Sequence, residues 1–266
     1  MEENVGLAFL LTTLAGLATA IGAGIAFFAK KTNFKLLSTA MGFSAGVMIY
    51  ISFVELFTGG YNSLVEQLGE SRGAWYATSA FFAGIMITAI IDKLVPSFEN
   101  PHEFDKGSEP PESEAHYKEL YRTGIFTALV IGIHNFPEGI ATFMGTLKDP
   151  QLGVSIAIAV AVHNIPEGIA VSAPIFYATG NKKKAFWFSF LSGFAEPVGA
   201  VIAYLILRPF LSDVVVGLSF AFIAGIMVFI SFDQLLPAAQ KYGSHHRSLY
   251  GLIAGMAVMA LSLLIS

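Results

Sequence analysis

The chain reads as an all-α polytopic membrane protein: eight spanning helices, with an inverted repeat of helices 1–3 and 6–8 around a central hairpin of helices 4 and 5. Three observations lead there. Of the 266 residues, 55% are hydrophobic and only 13% charged, where a soluble domain carries roughly a quarter charged. The apolar residues are blocked into uncharged stretches of about 20, the length that crosses about 30 Å of hydrocarbon. A pattern of small and apolar residues near the N-terminus also returns late in the chain at a nearly constant offset.

Taken in order, the spans fall at residues 5–29, 36–57, 75–91, 123–145, 152–177, 185–207, 214–236 and 249–266. Each must satisfy its own backbone hydrogen bonds in hydrocarbon, which a helix does and an open strand cannot. Barrel strands would alternate in polarity; these segments do not. The chain opens Met1, Glu2, Glu3 without the basic start of a signal peptide, so the first span is expected to be retained. Lys and Arg set the orientation. With the N-terminus outside, the inner loops hold Lys30, Lys31, Lys35, Lys93, Lys106, Lys118, Arg122, Lys182, Lys183, Lys184, Lys241 and Arg247, 12 of the 15 basic residues. Only Arg72, Lys148 and Arg208 lie in outer loops, so both termini are expected outside. Residues 96–120, rich in Glu, Pro and Ser, are expected to form a disordered cytoplasmic loop within a single domain, 1–266. The net charge of −4, with no basic patch beyond three lysines, argues against nucleic acid as a partner. Without cysteine there is neither a disulfide framework nor a thiolate metal site.

The repeat is visible residue by residue. Ala45, Gly46, Met48, Ile51, Ser52 and Phe53 match Ala224, Gly225, Met227, Ile230, Ser231 and Phe232. Gly16, Ala18, Gly22, Ala23, Ile25 and Ala26 match Gly193, Ala195, Gly199, Ala200, Ile202 and Ala203. The offsets are 179 and 177, so helices 1 and 2 correspond to helices 6 and 7. A displacement of five spans inverts one copy, which is a mark of secondary transporters with a site near the midplane. Chance likeness of Gly/Ala-rich helices is the bland alternative.

Spans 4 and 5 carry the chemistry: His134-Asn135-Phe136-Pro137-Glu138-Gly139 and His163-Asn164-Ile165-Pro166-Glu167-Gly168. Ionisable residues inside a membrane cost several kcal/mol and mark function by default. His134 and Glu138 are four apart and Asn135 and Glu138 three apart, so each motif offers one helix face. Pro137 and Pro166 remove backbone donors and leave the carbonyls of Ile133 and Val162 without helical partners, which predicts kinked, locally opened helices there. Gly139 and Gly168 permit close helix approach. The short link near residues 146–151 makes an antiparallel hairpin. His134 and His163 lie about 13 and 11 residues from it, roughly 20 and 17 Å, so the motifs are expected to meet mid-membrane. Glu196, followed by Pro197, lies at the middle of span 6. Its repeat counterpart is Thr19, so this carboxylate exists on one side only.

The converging set is two imidazoles, two amides and three carboxylates. Imidazole and carboxylate bind Zn²⁺ without a thiol, and equally suit Fe²⁺, Mn²⁺, Co²⁺ and Ni²⁺. No Lys or Arg lies at this depth, so a divalent cation or protons must neutralise the carboxylates. Residues that merely tie helices together would be the structural alternative; two copies of a six-residue motif plus Glu196 weigh against it.

HNFPEG and HNIPEG in consecutive helices, with Glu in the next, resemble the ZIP family of zinc and iron transporters over nearly the whole chain. The resemblance implies uptake of zinc, with iron, manganese, cobalt or cadmium as further cargo, into the cytoplasm across a bacterial inner membrane. It implies a two-metal site and no prosthetic group. By position, His134, Glu138, His163 and Glu167 would hold one metal. Asn135, Glu138, Asn164, Glu167 and Glu196 would hold the second, with Glu138 and Glu167 bridging. Met48 aligns weakly to a further contact with the first metal. The loop has His102 and His116 but no histidine-rich run, which speaks against metal sensing there. A homodimer is compatible with the reading.

Glu55, at the outer end of helix 2, and Asp233 with Gln234, at the inner end of helix 7, read equally as relay ligands or as hydrated interfacial groups. His245 and His246 beside Arg247 read as solvated loop residues. The competing class is an intramembrane metal-dependent hydrolase, which needs an open metal position and a general base. The zinc-protease spacing on one helix is absent, and so is the paired Glu-x-x-His of di-iron bundles.

Overall fold

The computed structural model describes residues 4–27, 34–94, 114–207, 210 and 212–265. Among these every regular element is helical. We number the rods in chain order. α1 is Val5–Ala26. α2 begins as Phe34–Ile51, passes through a π-helical segment Ser52–Phe57 and continues as Thr58–Leu68. α3 is Glu70–Leu94, α4 Glu114–Lys148 and α5 Pro150–Thr179. α6 comprises Lys182–Gly193, Ala195–Ile202 and a π-helical segment Ala203–Leu207. α7 comprises Asp213–Ile230, a π-helical segment Ser231–Leu235 and Leu236–Tyr242. α8 is His245–Ile265. Seven of these rods are long and apolar enough to cross a membrane. α4 is not among the seven.

Several boundaries differ from the expectation. α2 runs to Leu68 rather than stopping near 57, since its π segment absorbs an extra residue without breaking the rod. Residues 96–113 of the expected disordered loop lie outside the described residues, while residues 114–120 belong to α4. Just beyond them Lys184 Nζ sits 4.2 Å from the Tyr121 ring, so this end of α4 packs against the start of α6. The α4–α5 link is shorter than expected. Asp149 alone joins the two helices and caps α5, its carboxylate accepting from the Gln151 amide at 2.8 Å, with Pro150 at the first helical position. Gly180 ends α5 with φ +64°, a left-handed conformation that suits a residue without Cβ.

Apolar surface is distributed as a bilayer requires. Leu10, Leu14 and Ile21 of α1, Met86 and Ile90 of α3, and Leu261 and Leu264 of α8 are exposed. Inside, Met48, Ile51, Met144, Ile156, Phe220 and Met227 form a core between α2, α4, α5 and α7. Between apolar helices in lipid, packing depends on close backbone approach rather than hydrophobic drive. α1 lies on α5 at Gly168, where any Cβ would collide with the Thr19 carbonyl. α6 lies on α4 at Gly139, where it would collide with the Glu196 carbonyl. These two crossings deliver Glu196 and the two motifs to one place.

Candidate metal centre

Both motifs lie on unbroken helix. α4 and α5 stay helical through Pro137 and Pro166, so the local opening expected at each proline is not needed to form the site. The i, i+3, i+4 spacing puts His, Asn and Glu of each motif on one face. The antiparallel hairpin turns those faces together. All seven residues singled out from the sequence are buried: His134, Asn135, Glu138, His163, Asn164, Glu167 and Glu196 are at most 1% exposed.

The pairing is crossed. His134 Nε2 lies 3.2 Å from Glu167 Oε2, and His163 Nε2 lies 3.2 Å from Glu138 Oε2. Each histidine thus meets the glutamate of the other helix, not the one on its own face. A buried carboxylate left alone would be very costly, and a facing imidazole relieves that cost. Glu167 gains a further partner, since Ser44 on α2 donates to its Oε1 at 3.0 Å.

The asparagines are aimed by backbone. Asn135 Nδ2 donates to the Ser192 carbonyl of α6 at 3.2 Å, and Asn164 Nδ2 to the Ala15 carbonyl of α1 at 2.9 Å. Asn164 Nδ2 also donates to Glu196 Oε1. With both amides tied to neighbouring helices, each Oδ1 is left buried without a partner, as are Glu138 Oε1, Glu196 Oε2 and the Nδ1 atoms of His134 and His163. Buried polar atoms are normally satisfied, so four orphaned oxygens among these residues are a concentrated exception. Among the described residues no three His, Asp or Glu side chains stand as a ready-made metal cage. The imidazoles and carboxylates are engaged with one another, and coordination would exchange those hydrogen bonds for metal–ligand bonds.

A narrow cavity reaches His134 from the side of the α7 C-terminus. Met41, Thr127, Ile131, Gln234 and Lys241 line it. Gln234 is nearly buried, with its Oε1 unpartnered. Glu55 and Asp233, both partly exposed, lie on the π-helical segments of α2 and α7, and Gln234 follows Asp233 on the latter. Met48 is fully buried in the core beside α5. His245 and His246 are exposed at the start of α8, with Gln240 Nε2 3.5 Å from His245 Nδ1, which agrees with solvated residues. His102 lies outside the described residues, and so does the side chain of His116. Sequence reasoning passed over Ser44. The available signal was the repeat itself: Phe-Ser-Ala-Gly at 43–46 answers to Phe-Ile-Ala-Gly at 222–225, a lone hydroxyl in an otherwise apolar string.

Known proteins resemble this chain over most of its length. The ZIP zinc transporter family model matches residues 92–263, which include both motifs and Glu196. The zinc transporter ZupT of Lysinibacillus sphaericus is 58% identical over 270 residues, covering all of this chain and 99% of that protein. ZupT of Nitratidesulfovibrio vulgaris is 56% identical, covering 99% and 98%; ZupT of Clostridium perfringens is 57% identical, covering 99% and 97%. Identity of that extent over the whole length, together with the buried His/Asn/Glu centre, makes this multi-pass membrane protein a member of the ZIP family of zinc transporters.

Proposed function

We propose that the chain carries zinc into the cytoplasm through a two-metal site between α4, α5 and α6. His134, Glu138, His163 and Glu167 hold the first ion. Asn135, Asn164 and Glu196 join the two shared glutamates to hold the second. The observation that carries this reading is the crossed pairing of His134 with Glu167 and His163 with Glu138, together with the unpartnered buried oxygens of Asn135, Asn164, Glu138 and Glu196. Zinc takes imidazole and carboxylate ligands in four-coordinate geometry, and the arriving cation replaces the imidazole as counter-charge to each carboxylate. Iron, manganese, cobalt and cadmium are the further cargo this donor set suits.

Two features support inward movement. The cavity ending at His134 opens beside Lys241, on the side that the lysine and arginine bias assigns to the cytoplasm. Gln234 offers an oxygen along it.

The inverted repeat belongs to the same proposal, with α4 as the eighth crossing helix. Asn135 donates to Ser192 as Asn164 donates to Ala15, and the acceptors are 177 residues apart. A Cβ on Gly199 would meet the Phe136 carbonyl, and one on Gly22 the Ile165 carbonyl, again 177 and 29 apart. Ser52 and Ser231, offset by 179, each donate to the carbonyl four residues back at the head of a π-helical segment. This supports one helix-packing unit used twice in opposite senses.

The relatives' names assign zinc transport to those proteins, and no observation favours a hydrolase. The test is uptake by purified protein in liposomes, comparing zinc with iron, manganese, cobalt and cadmium. Zinc flux well above that of empty liposomes is expected; flux at the empty-liposome level would refute the reading.

A further inference from the structure

The centre is asymmetric, and the asymmetry originates outside the α4–α5 hairpin. Glu138 and Glu167 hold the same place in their motifs, and each turns one oxygen toward the opposite histidine. Their second oxygens differ. Glu167 Oε1 accepts from Ser44, whereas Glu138 Oε1 is buried without a partner.

Ser44 differs from most buried hydroxyls, and from Ser63 and Ser189, which donate across helices to backbone carbonyls, in giving its bond to a carboxylate. Thr12, Ser52, Thr88, Thr146, Ser172 and Ser231 each donate to the carbonyl four residues back in their own helix. That bond is always at hand in a helix. Ser44 instead donates to a carboxylate 123 residues away. The corresponding position of α7 carries Ile223, which lines an apolar cavity with Phe136, Pro137 and Ile140 of α4. Where α2 offers α5 a hydroxyl, α7 offers α4 hydrocarbon.

We infer that Ser44 is a positioning residue for the metal site: its hydroxyl holds Glu167 in one orientation and leaves Glu138 as the carboxylate free to turn. The inference rests on the transport reading above. One lone pair of Glu167 Oε1 is taken by the serine, so this glutamate meets an arriving cation already oriented. Glu138 has a free oxygen with which to follow the ion. Metal affinity and preference are thereby set partly from α2, which contributes no ligand of its own through Ser44. Partners that hydrogen-bond a ligating group typically alter metal affinity by 10–100-fold when removed.

The experiment uses the full chain in detergent with Co²⁺ as the probe, reading affinity by titration and ligand geometry by visible absorption. Ser44→Ala removes the donor; Ser44→Thr keeps it. The alanine variant is expected to bind Co²⁺ at least about tenfold more weakly with a shifted spectrum, and the threonine variant to restore both. Unchanged affinity and spectrum in Ser44→Ala would overturn the inference. Equal losses in both variants would also overturn it, since they would mark a packing role. If the unmutated protein bound no Co²⁺, the transport reading would fall first and this inference with it.

Discussion

Replacing Glu167 by glutamine isolates the charge of one shared ligand from its shape. Glu167 is 1% exposed and bound at both oxygens, by Ser44 at 3.0 Å and opposite His134 at 3.2 Å. Glutamine has the same volume, and its Oε1 can still accept from Ser44. Packing is therefore conserved, and the new amide Nε2 can donate to His134 Nε2 of a neutral ring, so no uncompensated charge or orphaned donor is left in the pair. The melting temperature should stay within a few degrees of the original. Metal binding should not survive so well. Loss of a group that only supports a ligand costs 10–100-fold, and here a ligand shared by both proposed ions loses its charge. We expect zinc affinity to fall by more than ~100-fold, about 2.8 kcal/mol at 1.4 kcal/mol per decade, and uptake at micromolar zinc to vanish. Isothermal calorimetry of the purified variant reads the affinity, and liposome flux reads the transport. A folded Glu167→Gln protein with zinc affinity within threefold of the original would refute the central site.

Packing, ligand protonation and charge bias each give one further expectation. Gly168→Ala would drive a methyl group into the Thr19 carbonyl of α1, and should destabilise the protein by about 1–3 kcal/mol as overpacking does; an unchanged thermal unfolding midpoint would contradict the packing described. Because imidazoles and carboxylates must be deprotonated to coordinate, and histidine titrates in this range, zinc affinity should fall steadily from about pH 7.5 to 5.5. Calorimetry in buffers of different ionisation enthalpy should then show proton release, and pH-independent binding without it would refute this. A reporter fused after Ser266 should be external, from the 12-to-3 bias of basic residues toward the opposite loops; a cytoplasmic signal would reverse the proposed entrance and exit.

Hydropathy alone determined the helical class and nearly every span, because a bilayer forces each crossing segment to be apolar and internally hydrogen-bonded. The six-residue motifs by themselves also indicated which residues would gather between α4 and α5. Their spacing fixes a helix face, and the short link fixes equal depth, so His134, Asn135, Glu138 and their counterparts had to meet. Glu196 was legible for the same reason, as a carboxylate with no plausible place in lipid. What chain order could not supply was partnership across helices. Same-face logic ties His134 to Glu138, yet the structure places His134 opposite Glu167 and His163 opposite Glu138. That choice depends on how two helices cross and which rotamers the crossing allows, not on spacing along either. The extension of α2 to Leu68 and of α4 back to Glu114 depends likewise on packing beyond the apolar window. Ser44 is the clearest instance: one hydroxyl in an apolar string has many acceptors within its own helix, and only the approach of α2 to α5 brings the Glu167 carboxylate to it.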